Sequence, residues 1–126
     1  MIQIYHNHRC TKSRQALQEL ENSNRDFEVI YYLETPPNRA QLTELIKKLA
    51  IKPFELIRKT EKIYIENYKG KNLSDLEWID AMVKNPVLIE RPIILSGDKA
   101  VIARPTERIK EILVENITDK RHENHD

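Results

Sequence analysis

The sequence predicts an α/β fold: a mixed four-stranded sheet built from a β-α-β half and a β-β-α half, with a helical insertion at about residues 38–85. Three observations predict it. Two short β-branched and aromatic runs flank one amphipathic helical stretch near the N-terminus. The middle of the chain carries helical periodicity and capping signals but no strand pattern. Two further short apolar runs, joined by Gly97-Asp98, precede a last helical pattern.

Each element has its own reason. Ile2–Tyr5 reads as a strand, and Thr11–Asn22 as a helix with Ala16, Leu17 and Leu20 on one face. Residues 27–32, FEVIYY, read as a second strand, so the intervening helix favours a parallel pair with a right-handed crossover. Pro36-Pro37 stops that strand, and Asn38 with Gln41 three positions on forms a capping signal. Leu42, Leu45, Ile46 and Leu49 then follow the i, i+3, i+4, i+7 spacing of a buried helix face. Pro53 suits the first turn of a short helix over 53–59, and 61–68 reads as another, ended by Gly70. Ser74 and Glu77 form a second capping box leading into Leu76, Ile79, Met82 and Val83, and Trp78 on this helix is the expected core anchor. Asn85-Pro86 ends the helix because a residue before proline avoids the αR region. Strands at Ile93–Ser96 and 100–103 meet in a Gly97-Asp98 hairpin, and Thr106 is the expected cap of a final helix that turns Ile109, Ile112 and Leu113 inward. Residues 118–126 are polar and read as a disordered tail, leaving one domain over 1–117. This order of elements is that of the thioredoxin-like fold; a flavodoxin-like fold would need about five parallel strands, which the middle lacks.

Composition excludes several functions. The chain has 126 residues, one cysteine and two glycines, so neither a P-loop nor a GxGxxG loop can be written. Its 21 Lys and Arg nearly cancel its 20 Asp and Glu, which disfavours nucleic acid as a partner. No apolar run reaches the roughly 20 residues of a membrane span, and the N-terminus lacks the layout of a signal peptide. With its unpaired cysteine, the chain reads as a cytoplasmic protein, and a monomer is expected.

Cys10 is expected between the first strand and the first helix, with His8, Arg9, Lys12 and Arg14 close in sequence and the first-turn amides of the helix pointing the same way. Lowering a thiol from about 8.5 to about 6.5 requires about 2.7 kcal/mol of differential stabilisation, whereas a helix terminus supplies only about 0.3–1 kcal/mol. A cationic side chain or a direct hydrogen bond must therefore contribute if the thiol is reactive. The same placement also suits an inert cysteine among solvated charges. If Cys10 does redox chemistry, no second cysteine can resolve the product, so the reductant is an external thiol. Ser13 stands where a C-x-x-C motif has its second cysteine; its hydroxyl can donate to the thiolate but cannot form a disulfide. His6 and His8 alternate along an extended segment, but no convergent cluster accompanies them, and no metal is expected.

The run Tyr5-His6-Asn7-His8-Arg9-Cys10-Thr11-Lys12-Ser13-Arg14 resembles the active-site signature of the glutaredoxin-dependent arsenate reductases, the ArsC family. The resemblance continues through Tyr31-Tyr32-Leu33-Glu34-Thr35-Pro36-Pro37, Leu56-Ile57-Arg58-Lys59, the segment from Asn85 to Ile93, and Ala103-Arg104-Pro105. It implies a thioredoxin-like fold with a helical insertion and reduction of arsenate to arsenite. It makes Cys10 the nucleophile, His6 its assistant, and Arg58, Arg91 and Arg104 the oxyanion ligands. It also places Asn7, Thr11, Lys12, Ser13 and Arg14 at the substrate and makes Pro92 a cis-proline facing the thiol. Glutathione would be the co-substrate, glutaredoxin the protein partner, and no bound cofactor would be required. Guanidinium forks suit a tetrahedral oxyanion because they offer paired hydrogen bonds and fixed charge. One departure stands out: His8 occupies a position where the family usually has proline. Spx-like regulators of RNA polymerase share the fold but carry a C-x-x-C switch, which Ser13 interrupts. That argues against redox switching but not against polymerase binding, so an Spx-like regulator stays as one alternative and a glutathione-linked thiol reductase with another substrate as the other.

Overall fold

The computed structural model describes residues 1–113, which form two compact units: Met1–Ile30 with the chain from Arg91 onward, and Tyr31–Glu90. The expected tail at 118–126 lies outside the described residues.

The first unit holds the sheet. Strands β1 (Ile2–Tyr5), β2 (Phe27–Ile30), β3 (Ile93–Ser96) and β4 (Lys99–Ile102) stand in the order β2-β1-β3-β4. β1 pairs with β2 in parallel and with β3 antiparallel, and β3 pairs with β4 antiparallel, which is the mixed sheet the sequence predicts. Helix α1 (Thr11–Asn22) supplies the crossover between the parallel strands. Ile2, Ile4 and Ile94 pack with Ala16 and Leu20 of α1 and with Ile109 and Ile112 in one buried cluster. β3 is buried along Ile93, Ile94 and Leu95, as befits an interior strand of the sheet. Gly97 takes φ 61° as the first residue of the two-residue hairpin loop, a conformation suited to glycine.

The second unit is helical. α2 (Arg39–Leu49) and α4 (Asp75–Lys84) both begin with the expected capping boxes. Gln41 N–H donates to Asn38 Oδ1 at 2.8 Å while Asn38 N–H donates to Gln41 Oε1 at 2.9 Å. Between them lie a 3-10 turn, Pro53–Leu56, and α3 (Lys62–Asn67). Leu42, Leu45 and Ile46 of α2 and Trp78, Ile79, Ala81 and Met82 of α4 are buried. Phe54, Tyr64 and Tyr68 surround Trp78 with ring centroids 5.0, 6.4 and 6.0 Å away, so Trp78 is the core anchor expected of it. An antiparallel bridge between Ile57 and Ile89 ties the middle of the unit's chain to its C-terminal end, with Arg58 N–H to Leu88 O at 2.7 Å and Glu90 N–H to Leu56 O at 2.8 Å.

Five local expectations need correction. The second strand stops at Ile30, not residue 32, because its partner β1 ends in register at Tyr5; Tyr31 O instead accepts turn bonds from Glu34 and Thr35. The helix expected over 53–59 is a single 3-10 turn, since Ile57 is drawn into the bridge with Ile89. The last strand is Lys99–Ile102, one residue earlier than read, because the two-residue loop fixes Ser96 opposite Lys99. Leu76 is half exposed in the first turn of α4. Thr106 is not a cap: Pro105 holds that position, and Thr106 begins a 3-10 turn, Thr106–Ile109, that runs into helical residues 110–113.

Candidate active site

The site grows from the end of β1. His6 N–H makes the last bond to β2, donating to Ile30 O at 2.9 Å, and the chain then turns sharply. Asn7 holds the turn: its carbonyl accepts from Cys10 N–H at 2.9 Å and its Oδ1 accepts from Arg9 N–H at 3.0 Å. Cys10 falls at the N-cap of α1 with extended backbone angles, and its carbonyl accepts the first helical bond, from Arg14 N–H at 3.0 Å. The half-buried thiol therefore sits over the open amides of the helix end.

Beneath the loop lies a buried polar cluster. His6, Asn7 and Ser13 are all buried. Ser13 Oγ accepts from Asn7 N–H at 3.0 Å and lies 2.8 Å from His6 Nδ1. The Ser13 hydroxyl is thus engaged with the loop and the imidazole. Ser13 acts on the sulfur through its backbone amide. Burial pushes the Cys10 thiol up, but the Ser13 amide, the hydrogen bond and charge of Arg91, and the Lys12 amide together hold it below its ordinary value. The Lys12 and Ser13 amides belong to the first turn of α1, where the helix end favours the thiolate. His6 is held below the usual histidine range by burial first, then by His8 and Arg14, against an opposing bond from Ser13. It is accordingly neutral near pH 7.

The cation that acts on the thiol comes from far along the chain. His8, Arg9, Lys12 and Arg14 are exposed, and none lowers the thiol through its side chain. Arg14 braces the loop, donating to His8 O at 2.9 Å and to Thr11 Oγ1 at 3.3 Å. Arg91 is buried just before β3, and Arg104 donates from Nη1 to Arg91 O at 2.9 Å. The Arg91-Pro92 peptide is cis, as expected, and so is Arg104-Pro105. The first unit thus gathers Cys10, His6, Asn7, Ser13, Arg91 and Arg104. Arg58 belongs to the second unit, where it pairs with Glu90 at 3.0 Å and with Glu61 at 3.4 Å. Among the described residues no group of three or more His, Cys, Asp or Glu could hold a metal ion, and no helix is long and apolar enough to cross a membrane.

Fold and site together define a thioredoxin-fold protein with a single cysteine, its thiol held below the ordinary value, at the start of its first helix. The sequence profile of the ArsC family matches residues 5–112, and the chain belongs to that family. It is 45% identical over 114 residues to YfgD of Escherichia coli (strain K12), described as an uncharacterized protein, across 89% of this chain and 96% of that one. It is 38% identical over 114 residues to an arsenate reductase of Neisseria meningitidis serogroup A, across 89% and 97% of the two chains. Its structure is similar to that of an arsenate reductase from Vibrio cholerae, with a TM-score of 0.84, 40% identity, and coverage of 88% and 96%.

Proposed function

We propose that the chain reduces arsenate to arsenite through the Cys10 thiolate, with glutathione and glutaredoxin as the source of electrons. The observation that carries this reading is the pairing of a thiol held below its ordinary value with the buried Arg91 guanidinium, itself linked to Arg104. A tetrahedral oxyanion placed between the helix end and these arginines would meet both a nucleophile and fixed positive charge. Arg58 joins the oxyanion ligands in this reading on the family resemblance alone.

The chemistry proceeds without a metal. Cys10 Sγ attacks arsenic, forming an S–As bond while one oxygen leaves, protonated, as water. Glutathione then attacks the same arsenic, displacing a second oxygen as water. A glutaredoxin thiolate attacks the glutathionyl sulfur, forming a disulfide. The As–S pair of electrons stays on arsenic, which passes from As(V) to As(III). Water finally cleaves the remaining S–As bond, releasing arsenite and the Cys10 thiol. The two electrons come from the glutaredoxin and glutathione sulfurs, consistent with a chain that has one cysteine.

The test is arsenate-dependent NADPH oxidation with glutathione, glutathione reductase and glutaredoxin present. Wild-type protein is expected to turn over, and Cys10→Ser to fall to background. Wild-type protein without activity would overturn the reading. Because the relative at 45% identity carries no reductase name, the second reading is a glutathione-linked reductase of another oxyanion or a mixed disulfide.

A further inference from the structure

A groove of about 640 Å³ opens in the first unit, lined by Lys12, Gln15, Gln18 and Glu19 of α1 and by Pro105, Thr106, Glu107 and Lys110. We infer that it seats the external thiol as a short peptide bearing both an ammonium group and carboxylates, of which glutathione is the type, with its sulfur toward Cys10. The inference rests on Cys10 being the reacting thiol.

Each wall starts at a residue linked to the groups that act on the thiol. One wall begins at Lys12, whose backbone amide acts on Cys10. The other begins at Pro105, next to Arg104, which holds the backbone of the same Arg91 that acts on the thiol. The volume falls within the roughly 300–1,000 Å³ of small-ligand sites. From Lys12 to Glu19 the helix rises about 10 Å, and an extended tripeptide spans roughly the same length.

The lining matches a zwitterion instead of an apolar ligand. Lys12 and Lys110 are exposed cations for carboxylates, and Glu19 and Glu107 are exposed anions for an ammonium group. Gln15 and Gln18 offer amides to a peptide backbone. Thr106 Oγ1 lies 3.3 Å from Gln15 Oε1 and can donate to it, tying the two walls together and leaving the Gln15 Nε2 donors to face a ligand. A chain with one cysteine needs a thiol delivered from outside, and this groove opens at Lys12, two residues from Cys10.

The experiment avoids arsenate, so its failure is distinguishable from failure of the reductase reading. Cys10 is converted to a mixed disulfide with thionitrobenzoate. Thiolate attack on Cys10 Sγ then forms a new S–S bond and expels thionitrobenzoate, read by absorbance. With glutathione the rate is expected to saturate; with 2-mercaptoethanol it should rise linearly. Lys110→Glu should raise the glutathione half-saturation roughly fivefold while leaving the 2-mercaptoethanol rate unchanged. S-methylglutathione, which cannot react, should shift the amide resonances of 12–19 and 105–110 in the unmodified protein. A linear dependence on glutathione, or saturation that Lys110→Glu leaves unchanged, overturns the inference.

Discussion

Around Cys10 the buried side chains are polar and satisfy one another, whereas around Trp78 they are aromatic and aliphatic. His6, Asn7 and Ser13 bury an imidazole, an amide and a hydroxyl under a loop that Arg14 braces from the first turn of α1. Trp78 instead gathers the rings of Phe54, Tyr64 and Tyr68, and the Tyr68 hydroxyl accepts from Asn85 Nδ2 at 3.3 Å. Apolar burial supplies stability in proportion to area, but a satisfied polar network contributes little net stability and much geometric definition. The two regions should therefore separate under mutation: damage in the helical unit costs stability, and damage at the loop alters the thiol.

The sharpest way to break that contrast is Trp78→Ala. Removing a buried indole from an aromatic cluster costs about 3–5 kcal/mol, which denaturant unfolding followed by circular dichroism will measure. In the surviving folded protein, the pH profile of Cys10 alkylation should match wild type. A thiol profile that moves with Trp78 would show that the two regions are not separable.

Arg91→Ala makes the opposite cut. Hydrogen bonds to charged groups contribute roughly 1.5–3 kcal/mol, and Arg91 gives the thiolate both a bond and a charge. Alkylation of Arg91→Ala should therefore need higher pH than wild type, whereas Arg14→Ala should leave the profile in place, since Arg14 spends its bonds on His8 O and Thr11 Oγ1. The sign extends to folding. A thiol lowered in the native state stabilises it above the ordinary thiol pKa, and that contribution fades as pH falls through the native value. The stability gap between wild type and Cys10→Ser should thus widen in favour of wild type as pH rises.

His6 gives a smaller effect of the same sense. Its native pKa lies below the ordinary 6.5 because burial disfavours the imidazolium, with His8 adding to the effect. The unfolded chain therefore takes up the proton first as pH falls through about 6.5, and native stability drops from there downward. Unfolding midpoints measured between neutral and mildly acidic pH should fall more steeply for wild type than for His6→Gln. Parallel curves would mean that His6 binds its proton alike in the native and the unfolded chain.

These regions also differ in how much their sequence reveals. Helical periodicity placed Leu42, Leu45, Ile46, Ile79 and Met82 inside, because a face repeating every 3.6 residues has few places to go but the core. The strand run through Tyr31 and Tyr32 misled, since β-propensity continues where the pairing partner has ended. At the site, the position of Cys10 before α1 was legible from strand and helix signals, but its electrostatic partner was not. The nearby His8, Arg9, Lys12 and Arg14 invited a local account, yet a loop can point such side chains into solvent. Arg91 reaches the sulfur only through the pairing of β1 with β3, a long-range contact that no local pattern encodes. The resemblance of the segment around Arg91 to a known family marks that residue as an oxyanion ligand, which is a different role from bonding the thiol.

The smallest expected effect tests the claim that capping signals read from sequence carry real energy. Asn38 Oδ1 accepts from Gln41 N–H at 2.8 Å, so Asn38→Ala leaves one helix-end amide without that acceptor and should cost about 1 kcal/mol. Asn38→Asp keeps an acceptor at the same place and adds charge suited to a helix N-terminus, so it should recover most of the loss. Neither change should move the Cys10 alkylation profile. A loss in Asn38→Ala that Asn38→Asp does not recover would place the energy in something other than the cap, and would mean that the reciprocal bonds of Asn38 and Gln41 mark where α2 begins without holding it there.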